Sequence, residues 1–295
     1  MSDTLNIKQR SLFTEILTLI KYRLSLSVVL SSVASYLIAF EVFSLLTFTL
    51  LILGGFFVVG ASNGFNQIIE RNRDALMIRT LNRPLPTGGL NVYQAILVCV
   101  ILSFLGLLML YTINFRTAFF GFLSMIIYLG IYTPLKPITP LSVFFGAIPG
   151  AIPFMLGWVA VTNQFSVETS ILFMIQFFWQ FPHFWAIGWF SHDDYKKAGF
   201  KMLFGGKKSK YPALIAVLTS VIMTIVSVLP FFYTNQLNLS VFAFFLILML
   251  GIWFTLKSVK LYKSLDDISA RNLMLSSFIY LPIMQILYVI DRFIF

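Results

Sequence analysis

The chain is short of almost everything a water-soluble domain uses. Of its 295 residues only 11% are charged, against roughly 25% in ordinary soluble domains, and acidic residues number 11 against 21 Lys and Arg. A surface of the usual soluble composition is therefore excluded. Cysteine occurs once, at Cys99, among Ile, Leu and Val, so there is no intramolecular disulfide and no cysteine-built zinc or iron–sulfur cluster. Cys99 reads as a small buried apolar residue. No small-residue cleavage pattern follows the first apolar run, which is too long for a signal-peptide core, so a retained helix and a mature chain equal to the whole chain are expected. No short-period repeat is visible.

What is present is hydrocarbon: 59% of the residues are hydrophobic. Apolar stretches long enough to cross a bilayer, about 20 residues each, centre on 16–38, 44–66, 93–113, 117–134, 141–161, 169–190, 211–232, 238–257 and 273–290. The expected fold is all-α: a polytopic bundle of about nine transmembrane helices, one domain over 1–295, around a central cavity open to the cytoplasmic side. Pro149, Pro153, Pro182, Pro230 and Pro282 mark expected kinks, tolerated where neighbouring helices re-satisfy the freed backbone groups. Nineteen of the 21 basic residues fall on alternate segments and only Arg116 and Arg292 on the others. This bias sets the N-terminus in the cytoplasm and the C-terminus outside. The net charge of +10 is then mainly a topological signal, aided by attraction to anionic inner-leaflet lipid, and points to no nucleic-acid partner.

Charge is costly near hydrocarbon, yet Asn63, Asn66, Glu70, Arg71, Arg73, Asp74, Arg79 and Arg83 crowd into 21 residues at the inner end of the second span. Asn66, Glu70 and Asp74 recur every four residues. A continuous helix rising about 1.5 Å per residue puts their oxygens on one face, roughly 6 Å apart per step. Carboxylate and amide oxygens are hard ligands, and Mg²⁺ takes one or two protein carboxylates while substrate phosphate and water fill the rest of its shell. Arg73, Arg79 and Arg83 are then placed to clamp an anion. Interface anchoring by snorkelling Arg is the plainer explanation, but eight such groups ahead of a Pro84-Leu85-Pro86-Thr87-Gly88 break exceed what anchoring requires.

Two further polar segments stand at the same membrane face. Phe177-Phe178-Trp179-Gln180-Phe181-Pro182-His183-Phe184-Trp185 runs toward Asp193 and Asp194. Polar groups inside a span are functional candidates. His183 reads as a buried structural imidazole, or as a group that binds a carboxylate, moves a proton or ligates a metal or haem iron. Asp193 and Asp194 read as loop residues, or as a second pair of oxygen ligands that lets two metal ions bridge one diphosphate. The loop 191–210 holds three Gly and six Lys and is expected to be irregular and able to close over a substrate. In Tyr132-Thr133-Pro134-Leu135-Lys136-Pro137-Ile138-Thr139-Pro140, three prolines in seven residues enforce a rigid turn that presents Lys136 as a third arm on the phosphates.

These segments together resemble the UbiA-type intramembrane prenyltransferases, whose first signature, Asn-x-x-x-Asp-x-x-x-Asp, stands here as Asn66, Glu70, Asp74. Within that superfamily they are most similar to the branch that farnesylates protohaem. The residues carrying this are Asn72 to Pro84, YTPLKPITP at 132–140, Gly146, Gly150, Pro153, Gly157-Trp158, WQFPHFW at 179–185 and DDYKKAGFKML at 193–203. The similarity spans roughly residues 20 to 205. Glu70 departs from the Asp of many relatives by one methylene, and the second metal motif is less regular than in quinone-type members. The resemblance implies transfer of farnesyl from farnesyl diphosphate to a vinyl group of protohaem IX, with water added, giving haem O. It implies Mg²⁺ on Asn66, Glu70 and Asp74, with Asp193 and Asp194 as further ligands, and diphosphate held by Asn63, Arg73, Arg79, Arg83 and Lys136. It also implies haem oriented by His183 and haem A synthase as a candidate partner.

Prenylation of an aromatic quinone precursor is the nearest alternative, against which the PHFW and DDYKKAG segments argue. Transport is the alternative of another class. A translocation path places charge through the membrane depth, whereas these charges gather at one face.

Overall fold

A computed structural model describes residues 10–232 and 236–295; Lys8, counted above among the inner basic residues, lies outside them. The described residues form helices and no strand. In order they are α1 Leu12–Leu19, α2 Tyr22–Ala39, α3 Leu45–Asp74, α4 Val92–Ile113 and α5 Phe115–Ile126, which continues through a π-helical turn Ile127–Tyr132 into Thr133–Leu135. Then come α6 Ser142–Thr162, α7 Val167–Phe190, the short α8 His192–Lys197, α9 Lys210–Val228, α10 Val241–Ser264 and α11 Asp267–Ile294.

Eight of these, α2 to α6 and α9 to α11, are long and apolar enough to cross a membrane. The ninth expected span is α7. It has 24 residues, but Glu168, Gln176, Gln180 and His183 interrupt its apolar run. The expected span 16–38 is corrected: Lys21 adopts a left-handed conformation, φ 47°, and breaks it in two. That corner lets α1 lie against α3 and α4 while α2 runs between α3, α6 and α11.

The packing order follows the chain from α2 through α3, α4, α5 and α6 to α7, returns along α11, and closes on α2, with α9 and α10 filling the flank between α7 and α11. Association of helices in hydrocarbon rests on close packing and interhelical hydrogen bonds. Accordingly α2 turns Ser25, Ser31, Ser32 and Ser35 inward, and Ser32 donates to the Pro153 carbonyl on α6 at 2.9 Å. At Gly157 the α6 backbone approaches α2 so closely that a Cβ would overlap the Ser32 carbonyl oxygen and Ser35 Oγ. The outer face of α4, with Leu97, Val100, Ile101, Phe104 and Leu108 exposed, is suited to lipid.

Helix ends are satisfied by side chains, as orphan N–H groups require. Asn91 and Gln94 form a reciprocal cap on α4, and Asp266 accepts from Ser269 N at 2.6 Å at the start of α11. That backbone bond holds the Asp266 carboxyl below its ordinary value.

Candidate active site

α3 carries the acidic row to its last residue. Asn66, Glu70 and Asp74 are all buried and Asp74 closes the helix, with Arg71 and Arg73 in the final turn, where positive charge suits the helix dipole. The chain then makes a run of turns over 75–90 in which Met77 and Thr80 are buried. Thr80 Oγ1 donates to the Asp74 carbonyl at 2.8 Å, and this returns Arg83 to the helix end. The second contributor is the turn after α5. Pro134 has no N–H to give an α-helical turn, and the Thr133 N–H bonds instead five residues back, to the Tyr128 carbonyl. Such π turns recur at functional sites, and this one aims Thr133 and Lys136 at α3.

The pairing is specific. Lys136 Nζ meets Glu70 Oε1 at 2.8 Å, with both side chains buried, and Arg83 meets Asp74 Oδ2 at 2.6 Å. Asn66 Nδ2 donates to Thr133 Oγ1 at 3.0 Å. Asn63 Oδ1 accepts from Lys21 Nζ at 3.3 Å while its Nδ2 donates to Ser25 Oγ. Removing two charges from water costs several kcal/mol per ion unless pairing offsets it, so these acids and bases are held in place by each other. Lys21 was counted in the sequence only toward topology. No pattern marks it as a site residue; its left-handed corner, outside the α2 span, is what brings it here. Burial first, then the Arg83 and Lys136 charges, lower its ammonium from the usual 10.5 to about 7.

The remaining candidates sit one layer outward. Phe200 lies under the Arg73 guanidinium and Lys136 Nζ, each 5.7 Å from the ring centre, and Tyr132 lies 4.5 Å from Lys136 Nζ. Arg79 is exposed; its guanidinium donates to Tyr195 Oη at 3.0 Å and its backbone N–H donates to Asp194 Oδ2 at 3.4 Å. The loop after α7 therefore meets the segment after α3, through Asp194 rather than Asp193, which is exposed. The loop is less irregular than expected. It contains α8, buries Ala198, Phe200, Met202 and Leu203, and is tied to the proline turn by Lys201 N donating to the Lys136 carbonyl at 2.8 Å. Those apolar side chains anchor it.

Beside this cluster opens a mostly apolar cavity of about 330 Å³. Asn63, Ser62, Tyr128 and Tyr132 line it near the charged end; Trp179, His183, Phe184 and Phe278 line it elsewhere. Gln180 forms part of the wall, donating to the Ala147 and Gln176 carbonyls, and the absence of a Cβ at Gly150 leaves room for its amide. One cavity thus runs from Asn63 and Tyr132, which contact Lys21 and Lys136 of the charged cluster, to the aromatic cluster around His183.

Among the described residues no three His, Cys, Asp or Glu side chains converge to hold a metal by themselves. The donor set nevertheless fits a hard divalent ion that shares its shell with a ligand. Asp74 Oδ1 is buried with no hydrogen-bond partner, and the Asn66 amide, tethered through its nitrogen, keeps its oxygen available.

Comparison with known proteins gives the family. Protoheme IX farnesyltransferase of Flavobacterium psychrophilum is 49% identical, the match covering 97% of this chain and 96% of the relative. The enzyme of the same name from Christiangramia forsetii is 50% identical over 96% and 95%. A solved structure of digeranylgeranylglyceryl phosphate synthase, 22% identical, superposes with a TM-score of 0.80 over 95% of this chain and 98% of its own. A UbiA homologue from Archaeoglobus fulgidus bound to GPP and Mg²⁺, 18% identical, gives 0.73 over the same shares. The family model described as UbiA prenyltransferase matches residues 27–280, and with the acidic row, the cations and the shared cavity in place, the chain belongs to the UbiA prenyltransferase family.

Proposed function

We propose that this chain transfers the farnesyl group of farnesyl diphosphate to a vinyl group of protohaem IX, with addition of water, giving haem O and diphosphate. The carrying observation is the single cavity that joins the Asn63–Tyr132 end, beside the charged cluster, to the His183–Trp179 end. It is one largely apolar cavity, as a reaction between a polyprenyl chain and a porphyrin inside a membrane requires. The names of the relatives supply the substrates.

Asn66, Glu70 and Asp74 would hold Mg²⁺, which supplies charge neutralisation on the departing diphosphate. Asp193 and Asp194 would add a second pair of oxygen ligands, of which Asp194 already reaches the Arg79 segment. Arg73, Arg79, Arg83, Lys136 and Asn63 receive the diphosphate oxygens, and preorganised cations of this kind act where charge develops in the transition state. The allylic C–O bond breaks, with its electron pair leaving on diphosphate. The terminal carbon of the haem vinyl group bonds to the allylic carbon, and water adds to the resulting cation and loses a proton. An apolar wall excludes water until that step. The N-terminus is read as cytoplasmic, the C-terminus as outside, and the cavity as opening to the cytoplasmic side, in keeping with the Lys and Arg bias. Haem A synthase, which would take haem O, is the proposed partner.

The test is purified protein offered protohaem or 4-hydroxybenzoate with farnesyl diphosphate and Mg²⁺. Haem O formation supports the reading, and prenylation of the benzoate alone overturns it.

Lys21 adds a pH dependence. A bound diphosphate favours its protonated form, whereas the empty site loses that proton above about pH 7, so binding at higher pH must take a proton up. The KM for farnesyl diphosphate is expected to rise about five-fold between pH 7 and pH 8, as follows from one such group. Lys21→Met raises KM at pH 7 and flattens that slope, which steady-state kinetics across pH would show.

A further inference from the structure

The hydrogen-bond chain behind His183 fixes which ring nitrogen carries the proton. Ser277, on α11, is fully buried. Its Oγ lies 2.7 Å from His183 Nδ1 and 2.5 Å from the Met274 carbonyl oxygen. A serine hydroxyl has one proton. A carbonyl oxygen can only accept, so that proton goes to Met274; the reverse arrangement would set two sets of lone pairs against each other. The contact to His183 is then made by Nδ1–H as donor. A neutral imidazole carries one proton, so Nε2 keeps its lone pair. Nε2 has no hydrogen-bond partner among the described residues, and His183 lines the cavity.

The ring plane is fixed as well. Trp179 stacks on His183 with centroids 4.8 Å apart and planes at 16°, and Phe278 meets it edge-on at 5.0 Å. Trp179 is itself tethered by its Nε1–H donating to the Ser277 carbonyl at 3.0 Å. Ser277 therefore holds both the imidazole and the indole that clamps it.

We infer that Ser277 is a positioning residue that presents the His183 Nε2 lone pair to the iron of the haem substrate. This rests on the proposed function and narrows it. A propionate is an acceptor and would be repelled by that lone pair, whereas haem iron is ligated by an imidazole nitrogen whose other ring N–H is donated to a partner. The iron is the one part of a porphyrin that this tautomer recognises.

The experiment compares binding of protohaem IX and metal-free protoporphyrin IX to purified full-length protein, with resonance Raman of the ferrous haem complex. The wild type is expected to bind protohaem at least ten-fold tighter than the metal-free ring and to show an iron–histidine stretch. His183→Ala should lose that band, and added imidazole should restore an imidazole-ligated haem. Ser277→Ala should weaken protohaem binding by about ten-fold or more, in line with loss of a group behind a metal ligand, broaden or shift the band, and leave protoporphyrin IX affinity unchanged. Ser277→Thr, which keeps the hydroxyl, should retain the band. Equal wild-type affinity for the two porphyrins, or an unaltered band in Ser277→Ala, overturns the inference while leaving farnesylation intact. Absence of any porphyrin binding overturns both.

Discussion

Asp74→Asn protein is expected to form haem O at a rate lower by about 10²- to 10³-fold, the range for loss of one preorganised electrostatic group. Asp74 is fully buried, its Oδ2 is 2.6 Å from Arg83 and its Oδ1 is unpartnered. The substitution keeps shape and removes charge. If Asp74 only neutralised Arg83, the cost would be that of a partly buried cation left unpaired, up to about 3–5 kcal/mol of stability, and the protein that stays folded would keep near wild-type turnover because Arg83 itself is untouched. If Asp74 holds the metal, the folded protein is inactive as well, and raising Mg²⁺ restores little. Haem types extracted from membranes expressing each protein, with thermal melting in detergent, separate the two. Activity above a third of wild type in the variant would end the metal assignment at this residue.

Much of the architecture was readable because lipid imposes a strong pattern: a span must be apolar and about 20 residues long. The exceptions have local causes. The break at Lys21 depends on one left-handed residue that no periodicity signals, and α7 is less apolar than the other spans because Gln176, Gln180 and His183 line the cavity. In the site, the four-residue spacing of Asn66, Glu70 and Asp74 was legible because one helix carries them, and all three are buried together. The partners were not: Lys136 for Glu70, Thr133 for Asn66, Lys21 for Asn63 and Ser277 for His183 stand 66, 67, 42 and 94 residues away in sequence. Contacts of that separation come from the packing of the ring of helices, which one sequence does not encode in any spacing. Phe200 was hidden for a related reason, since a loop rich in Lys and Gly masks the apolar residues that dock it.

Gly157 makes the same point and carries the largest expected effect on the fold. In the sequence it stands only among the residues that carry the family resemblance, with Gly146, Gly150 and Pro153; the structure shows the α2 backbone lying directly against it. A Cβ at 157 would overlap the Ser32 carbonyl oxygen and Ser35 Oγ and come within 2.5 Å of the Tyr36 backbone nitrogen. Two of these are main-chain atoms of a helix and cannot rotate away. Gly157→Ala must therefore push α2 from α6, also stretching the Ser32 bond to the Pro153 carbonyl. Overpacking usually costs 1–3 kcal/mol, and a backbone obstacle puts this variant at about 3 kcal/mol or more. The melting temperature in detergent should fall by roughly 6–12 °C. Gly150→Ala is the contrast. Its added Cβ meets only the end of the Gln180 side chain, which can swing aside by giving up its bonds to Ala147 and Gln176. That variant should melt within a few degrees of wild type, with its damage confined to binding in the cavity. Equal melting temperatures for wild type and Gly157→Ala would show that α2 and α6 are not held at this distance.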